Sequence, residues 1–140
     1  IVIAQTTVNE QTFQEVAALI AERYPQHIVR NTVCSATRKR QEASRLLAEQ
    51  VDVVFVVGGK HSSNTNRLTE ICRQSCPNTF HIETAAEIRA TDVHNADRVG
   101  ITAGASTPDW LIGQVVDRLG ELSGGLVHLV REPTDTAGSE

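Results

Sequence analysis

The 140-residue sequence has no methionine, one tryptophan, one tyrosine and three phenylalanines. With aromatics at 4% against 40% hydrophobic residues, any core has to be built from Val, Leu, Ile and Ala. No apolar run approaches the roughly 20 residues of a membrane-spanning helix, and no secretory leader pattern is visible, so no membrane partner is expected. A basic excess is also missing. Thirteen Lys and Arg face seventeen Asp and Glu, the net charge is −4, and the cations are scattered, which argues against nucleic acid as a partner. Three cysteines, an odd number, cannot close a disulfide framework. They fit a reducing cytoplasm, with metal binding or catalysis as possible uses. There is no G-x-S-x-G elbow, Walker loop or G-x-G-x-x-G, and no two histidines share a metal-ligand spacing. The missing methionine and the abrupt start on IVIAQ predict a piece of a longer protein.

What is present is an alternation of strand and helix patterns. Ile1–Ala4 reads as a short strand, followed by a polar turn at Gln5, Thr6, Thr7 and Asn9. A helix over about Glu10–Tyr24 places Phe13, Val16, Ala17, Ile20, Ala21 and Tyr24 on one face, and Pro25 stops it. His27–Val33 reads as a strand ending at Cys34. A helix over about Arg38–Gln50 is expected to turn Ala43, Leu46 and Leu47 inward. Val53–Val57 is a strand buried on both faces, and a helix follows over about Thr65–Ser75. Thr79–Ile82 is a short strand. Thr84 and Glu87 have capping-box spacing, which predicts a helix start. Asp97–Ile101 is another strand, Thr102–Thr107 a turn, and Pro108 the first residue of a helix reaching about Leu122. Leu126–Val130 reads as one more strand before a polar tail. The fold class is therefore α/β, a parallel sheet with helices on both faces.

In such sheets ligands bind at the carboxyl ends of the strands. Three polar turns converge on that edge: Gln5–Thr7, Ser62–Asn66 and Thr102–Thr107. The second follows a strand and two glycines and opens a helix, so it gathers backbone N–H groups, hydroxyls and amides where partial positive charge favours an anion. One cap needs one such residue, and here there are five in a row. Ser106 or Thr107 can serve as an ordinary N-cap, or the turn can join Ser62–Asn66 around a doubly charged group such as diphosphate. Cys34 can be a thiolate at a helix start or a buried structural cysteine. Cys72 and Cys76, four apart on one helix, are expected to fill core. His61 lies in the polar turn and could touch an anion, and His81 alternates into a strand.

Three segments, TVCSATRKRQ (Thr32–Gln41), VVGGKHSSNTNRL (Val56–Leu68) and GITAGASTPD (Gly100–Asp109), closely resemble the LytB/IspH family of 4-hydroxy-3-methylbut-2-enyl diphosphate reductases. AQTTVN (Ala4–Asn9) is similar to a fourth family segment. The likeness covers roughly residues 1–125. It implies three similar α/β lobes around a 4Fe-4S cluster, with each lobe supplying one cysteine. It assigns Cys34 as the third cluster ligand and Ser62, Ser63, Asn64 and Ser106 as diphosphate ligands. Thr6, with Gln5 beside it, falls near the substrate hydroxyl. The implied reaction removes that hydroxyl as water after delivery of two electrons, from a donor such as ferredoxin or flavodoxin, and yields isopentenyl and dimethylallyl diphosphates. On this resemblance residues 1–33 end a second lobe, 34–125 form the third, and 126–140 are a C-terminal strand and tail. The first two cluster cysteines, the diphosphate-binding histidines and the proton-donating glutamate of the family are not in this sequence. Lys39 and His61 stand where the family often has Asn. An isolated chain of this kind is expected to be inactive and to hold no stable cluster. The alternative is a stand-alone module that binds phosphate or diphosphate without redox activity.

Overall fold

The structure, a computed structural model, describes residues 10–26, 28, 30 and 35–124. The expected strands at Ile1–Ala4 and Leu126–Val130, the turn at Gln5–Thr7, and Cys34 lie outside the described residues. Of the expected strand His27–Val33 only Ile28 and Arg30 are described. The elements are α1 (Glu10–Arg23), α2 (Ser35–Gln50), β1 (Val53–Val57), α3 (Ser63–Ser75), β2 (Thr79–Ile82), β3 (Val99–Ala103) and α4 (Asp109–Leu122). Two short 3-10 turns, Ala85–Glu87 and Ala90–Asp92, lie between β2 and β3.

The sheet is parallel with order β2-β1-β3. All five residues of β1 are buried, as the unbroken apolar run requires of a central strand covered on both faces. Alternation divides its side chains. Val53, Phe55 and Val57 join Ile82, Ile88, Val115 and Leu119 on one face, under α4 and the 3-10 segment. Val54 and Val56 join Ala48, Leu68, Cys72 and Cys76 on the other, under α2 and α3. Phe55 and Phe80, partners in register, stack at 5.5 Å between ring centroids.

Asp52 holds the amino end of the sheet together. Its carboxylate accepts from the N–H groups of Asp97 and Arg98, and its carbonyl accepts from Cys76 Sγ and Asn78 Nδ2.

Several local expectations change. On α2 the buried residues are Gln41, Ser44 and Ala48, while Ala43 is exposed, Leu46 is 42% exposed and Leu47 half-buried. The helix lies close to β3: Ser44 Oγ is 2.7 Å from Thr102 Oγ1, and a Cβ on Gly100 would meet Leu47 Cγ at 2.9 Å. A large residue at position 44 would hold the helix off the sheet. On α1, Phe13 and Ala17 are buried but Val16 is 45% exposed, and Tyr24, just past the helix end, is 61% exposed. The helix expected at Thr84 is only two isolated 3-10 turns. Thr91, Asp92, Asn95 and Asp97 are weak helix formers, and Asn95 takes a positive φ of 65°.

Candidate functional site: a donor-rich cleft between two strand ends

Val57 and Ala103 are register partners at the carboxyl ends of β1 and β3. From β1 the chain leaves toward α3 on one face of the sheet; from β3 it leaves toward α4 on the other. Two adjacent parallel strands whose continuations part to opposite faces open a crevice between them, the usual ligand position in such sheets. Ser62, Ser63 and Asn64 lie on the first exit and Ser106 on the second.

The polar run starts its helix earlier than Thr65. Ser62 is the N-cap, and its Oγ accepts from the Thr65 N–H at 3.3 Å. Ser63 and Asn64 therefore fall in the first turn, where amides have no intrahelical acceptor and the helix dipole is positive. Ser63 is exposed and Asn64 half-buried. Asn64 Oδ1 is buried without a hydrogen-bond partner, which costs about 1–3 kcal/mol for such a group.

Two glycines set the crevice width. Gly58 has φ +154°, and a Cβ there would meet Thr65 Oγ1 at 2.6 Å and Thr107 Oγ1 at 3.1 Å. A Cβ on Gly104 would also meet Thr65 Oγ1 at 2.6 Å and Asn64 Nδ2 at 3.8 Å. The α3 N-terminus thus seats its buried Thr65 between the ends of β1 and β3 because neither position carries a side chain. Thr107 does not cap α4. Its Oγ1 donates to Val57 O at 3.0 Å, tying the second turn to the end of β1. Pro108 is the N-cap rather than the first helical residue, with no side-chain cap bond. Ser106 is left exposed at the tip of that turn.

The Gly58–Ser62 segment is anchored by residues whose spacing in sequence gives no hint of it. Gly58 N–H donates to Ile82 O at 3.0 Å. His81 Nε2 lies 2.9 Å from Gly58 O, and because a carbonyl only accepts, that nitrogen carries the proton. Lys60 N–H donates to Glu83 Oε1 at 2.8 Å and Lys60 Nζ to Glu87 Oε1 at 2.7 Å. Asn66 Nδ2 donates to Lys60 O at 3.1 Å. The hydrogen bond to Glu87, then its charge, raises the pKa of Lys60 above the ordinary value. Partial burial pushes the Glu87 carboxyl up, but Lys60 and the N–H groups of Thr84 and Glu83 more than reverse this, so its pKa is lowered. His61 is exposed in the turn.

Cys72 and Cys76 are buried and unpaired, as core residues. Burial, then the neighbouring Cys76, pushes the Cys72 thiol up to about 11. Such thiols are poor metal ligands, since binding requires the thiolate. Among the described residues no three His, Cys, Asp or Glu side chains gather in a way that could hold a metal, so these residues alone do not fit an iron–sulfur cluster. No described helix is long and apolar enough to cross a membrane.

A family model described as LytB protein matches residues 1–120. The chain belongs to the LytB family. It is 50% identical over 122 residues to the 4-hydroxy-3-methylbut-2-enyl diphosphate reductase of Alkaliphilus oremlandii, covering 86% of this chain and 44% of that protein. It is 49% identical over 124 residues to the protein of the same name from Aquifex aeolicus, covering 89% and 43%. The solved structure of an (E)-4-hydroxy-3-methyl-but-2-enyl diphosphate reductase, described as the terminal enzyme of the non-mevalonate pathway, superposes with a TM-score of 0.63 at 50% identity over 85% of this LytB chain and 42% of that one. A reductase structure from Plasmodium falciparum superposes with a TM-score of 0.75 at 23% identity and supports the fold alone. This LytB chain therefore spans less than half the length of the relatives it matches.

Proposed function

We propose that this chain is the C-terminal part of a reductase acting on 4-hydroxy-3-methylbut-2-enyl diphosphate, and that its share of the active site is the diphosphate end. The observation that carries this reading is that the first turn of α3 and the Gly104–Thr107 turn, which leave the adjacent ends of β1 and β3, meet around Thr65. The amide and side chain of Asn64, with the hydroxyls of Ser62, Ser63 and Ser106, are neutral donors suited to a diphosphate. Residues 1–33 then end a second lobe, 34–125 form the third and 126–140 extend from it. Thr6 is assigned to the substrate hydroxyl.

Cys34 is assigned as this chain's one ligand to a 4Fe-4S cluster, the others coming from the remainder of the enzyme. It precedes Ser35, the first residue of α2. Only Val51 and Asp52 separate α2 from β1, so α2 runs back along the sheet. Its sixteen residues span about 24 Å, which puts Ser35 on the side of the strands' carboxyl ends. When bound, the cluster supplies electrons and a Lewis-acidic iron. The residues described here would bind and orient the diphosphate. A protein such as ferredoxin or flavodoxin would supply the electrons, in the cytoplasm, and the fragment alone would be inactive.

The test is anaerobic purification of the full-length protein that carries this chain. Conversion of the substrate to isopentenyl and dimethylallyl diphosphates, with iron and activity both lost in Cys34→Ser, is the expected result. Full iron and full turnover in that variant would remove Cys34 from its role. The alternative module would bind diphosphate and show no turnover at all.

A further inference from the structure

The ammonium closest in sequence to the candidate anion site is already committed elsewhere. Lys60 uses all three of its polar groups: its N–H on Glu83, its carbonyl with Asn66, and its Nζ on Glu87. Glu87 uses both carboxylate oxygens, Oε1 for Lys60 Nζ and Oε2 for the N–H groups of Glu83 and Thr84 at 2.6 and 2.9 Å. The cluster joins the loop after β1 to the turn after β2, and those strands end in register at Val57 and Ile82. With two carboxylates against one ammonium it carries a net charge of about −1 at neutral pH, so it is not built to attract an anion.

We infer that Glu87, acting through Lys60, is a positioning residue: it fixes the Gly58–Ser62 segment, and with it the first turn of α3, for diphosphate binding without touching the ligand. This rests on the diphosphate reading above. Electrostatics and positioning predict opposite signs for one substitution. Glu87→Gln removes a negative charge and frees a cation beside the anion site, so a purely electrostatic role would tighten binding. Loss of the clamp would weaken it, because the donors would have to be ordered by the ligand.

The experiment uses the full-length, cluster-loaded protein that carries this chain, with KM for the diphosphate substrate, kcat, and inhibition by inorganic pyrophosphate as readouts. Glu87→Gln is expected to raise KM and the pyrophosphate inhibition constant together by about three- to fivefold, the scale of one exposed ion pair, with kcat held within about twofold, a pattern that marks lost ground-state binding. Lys60→Met should do the same, and the double variant should be no worse than either single one. A fall in KM for Glu87→Gln, an unchanged KM, or additive effects in the double variant would overturn the proposal. Asn64→Ala separates the two levels. If it weakens pyrophosphate while Glu87→Gln does not, the clamp alone fails. If Asn64→Ala also changes nothing, the diphosphate reading fails and the clamp falls with it.

Discussion

The Thr65 hydroxyl lies 2.6 Å from where a Cβ on either Gly58 or Gly104 would stand. Gly104→Ala should therefore destabilise the protein by about 1–3 kcal/mol, the range for overpacking a tight contact. Thr65→Ala, which deletes the obstructing atoms, should recover part of that loss in the double variant, measured by urea unfolding as a non-additive cycle. Two titrations belong at the same scale. The Glu87 pKa is lowered from 4.5, so its clamp is intact above pH 4.5 and is lost only as pH falls through the lower folded value. The amide proton shifts of Glu83 and Thr84, both donors to Glu87, should follow that midpoint, and Glu87→Gln should abolish the step. For Cys72 the sign reverses. The unfolded thiol ionises near 9 and the folded one near 11, so in that window the unfolded state binds fewer protons and stability falls as pH rises. At pH 7 a thiol reagent should label Cys72 and Cys76 only after denaturation; rapid labelling of the folded protein would contradict their burial.

Element by element, legibility followed how much of the determining chemistry was local. The buried run of β1, the end of α4 and the spacing of β2 are all readable because four to fourteen consecutive residues agree on one pattern. The α3 helix starts two residues before the Thr65 its pattern suggests, because five polar residues offer several caps and only the Ser62–Thr65 hydrogen bond selects one. Ser62→Ala should cost about 1 kcal/mol, read by urea unfolding. The inward face of α2 departs from its leucine pattern for a different reason. Its leucines looked like the core stripe, but close approach to β3 places Ser44 and Ala48 inward and seats Ser44 against Thr102. The Thr84–Glu87 spacing is visible in the sequence and its capping contact forms, but the same carboxylate also serves a lysine 27 residues away, a contact that no local pattern encodes. Of the candidate ligands, Ser62, Ser63, Asn64 and Ser106 were legible as small polar residues at strand exits. The residues that shape the crevice, Thr65 and Thr107, were not, since their role is set by strand order.

At the scale of the molecule, the sheet order and the opposite exits of β1 and β3 matter more than any single side chain, because they bring two turns forty residues apart to one crevice. The chain spans less than half of its reductase relatives, and the described part offers donors for an anion but no set of metal ligands. In the proposed division of labour this part grips the diphosphate, and chemistry happens where other lobes meet it. The most direct measurement is calorimetric titration of the full-length protein with inorganic pyrophosphate, comparing the parent with Ser63→Ala and Asn64→Ala. Hydrogen bonds to a charged group contribute roughly 1.5–3 kcal/mol, so each variant should bind about 10- to 100-fold more weakly. Affinity equal to the parent's in both variants would contradict the account.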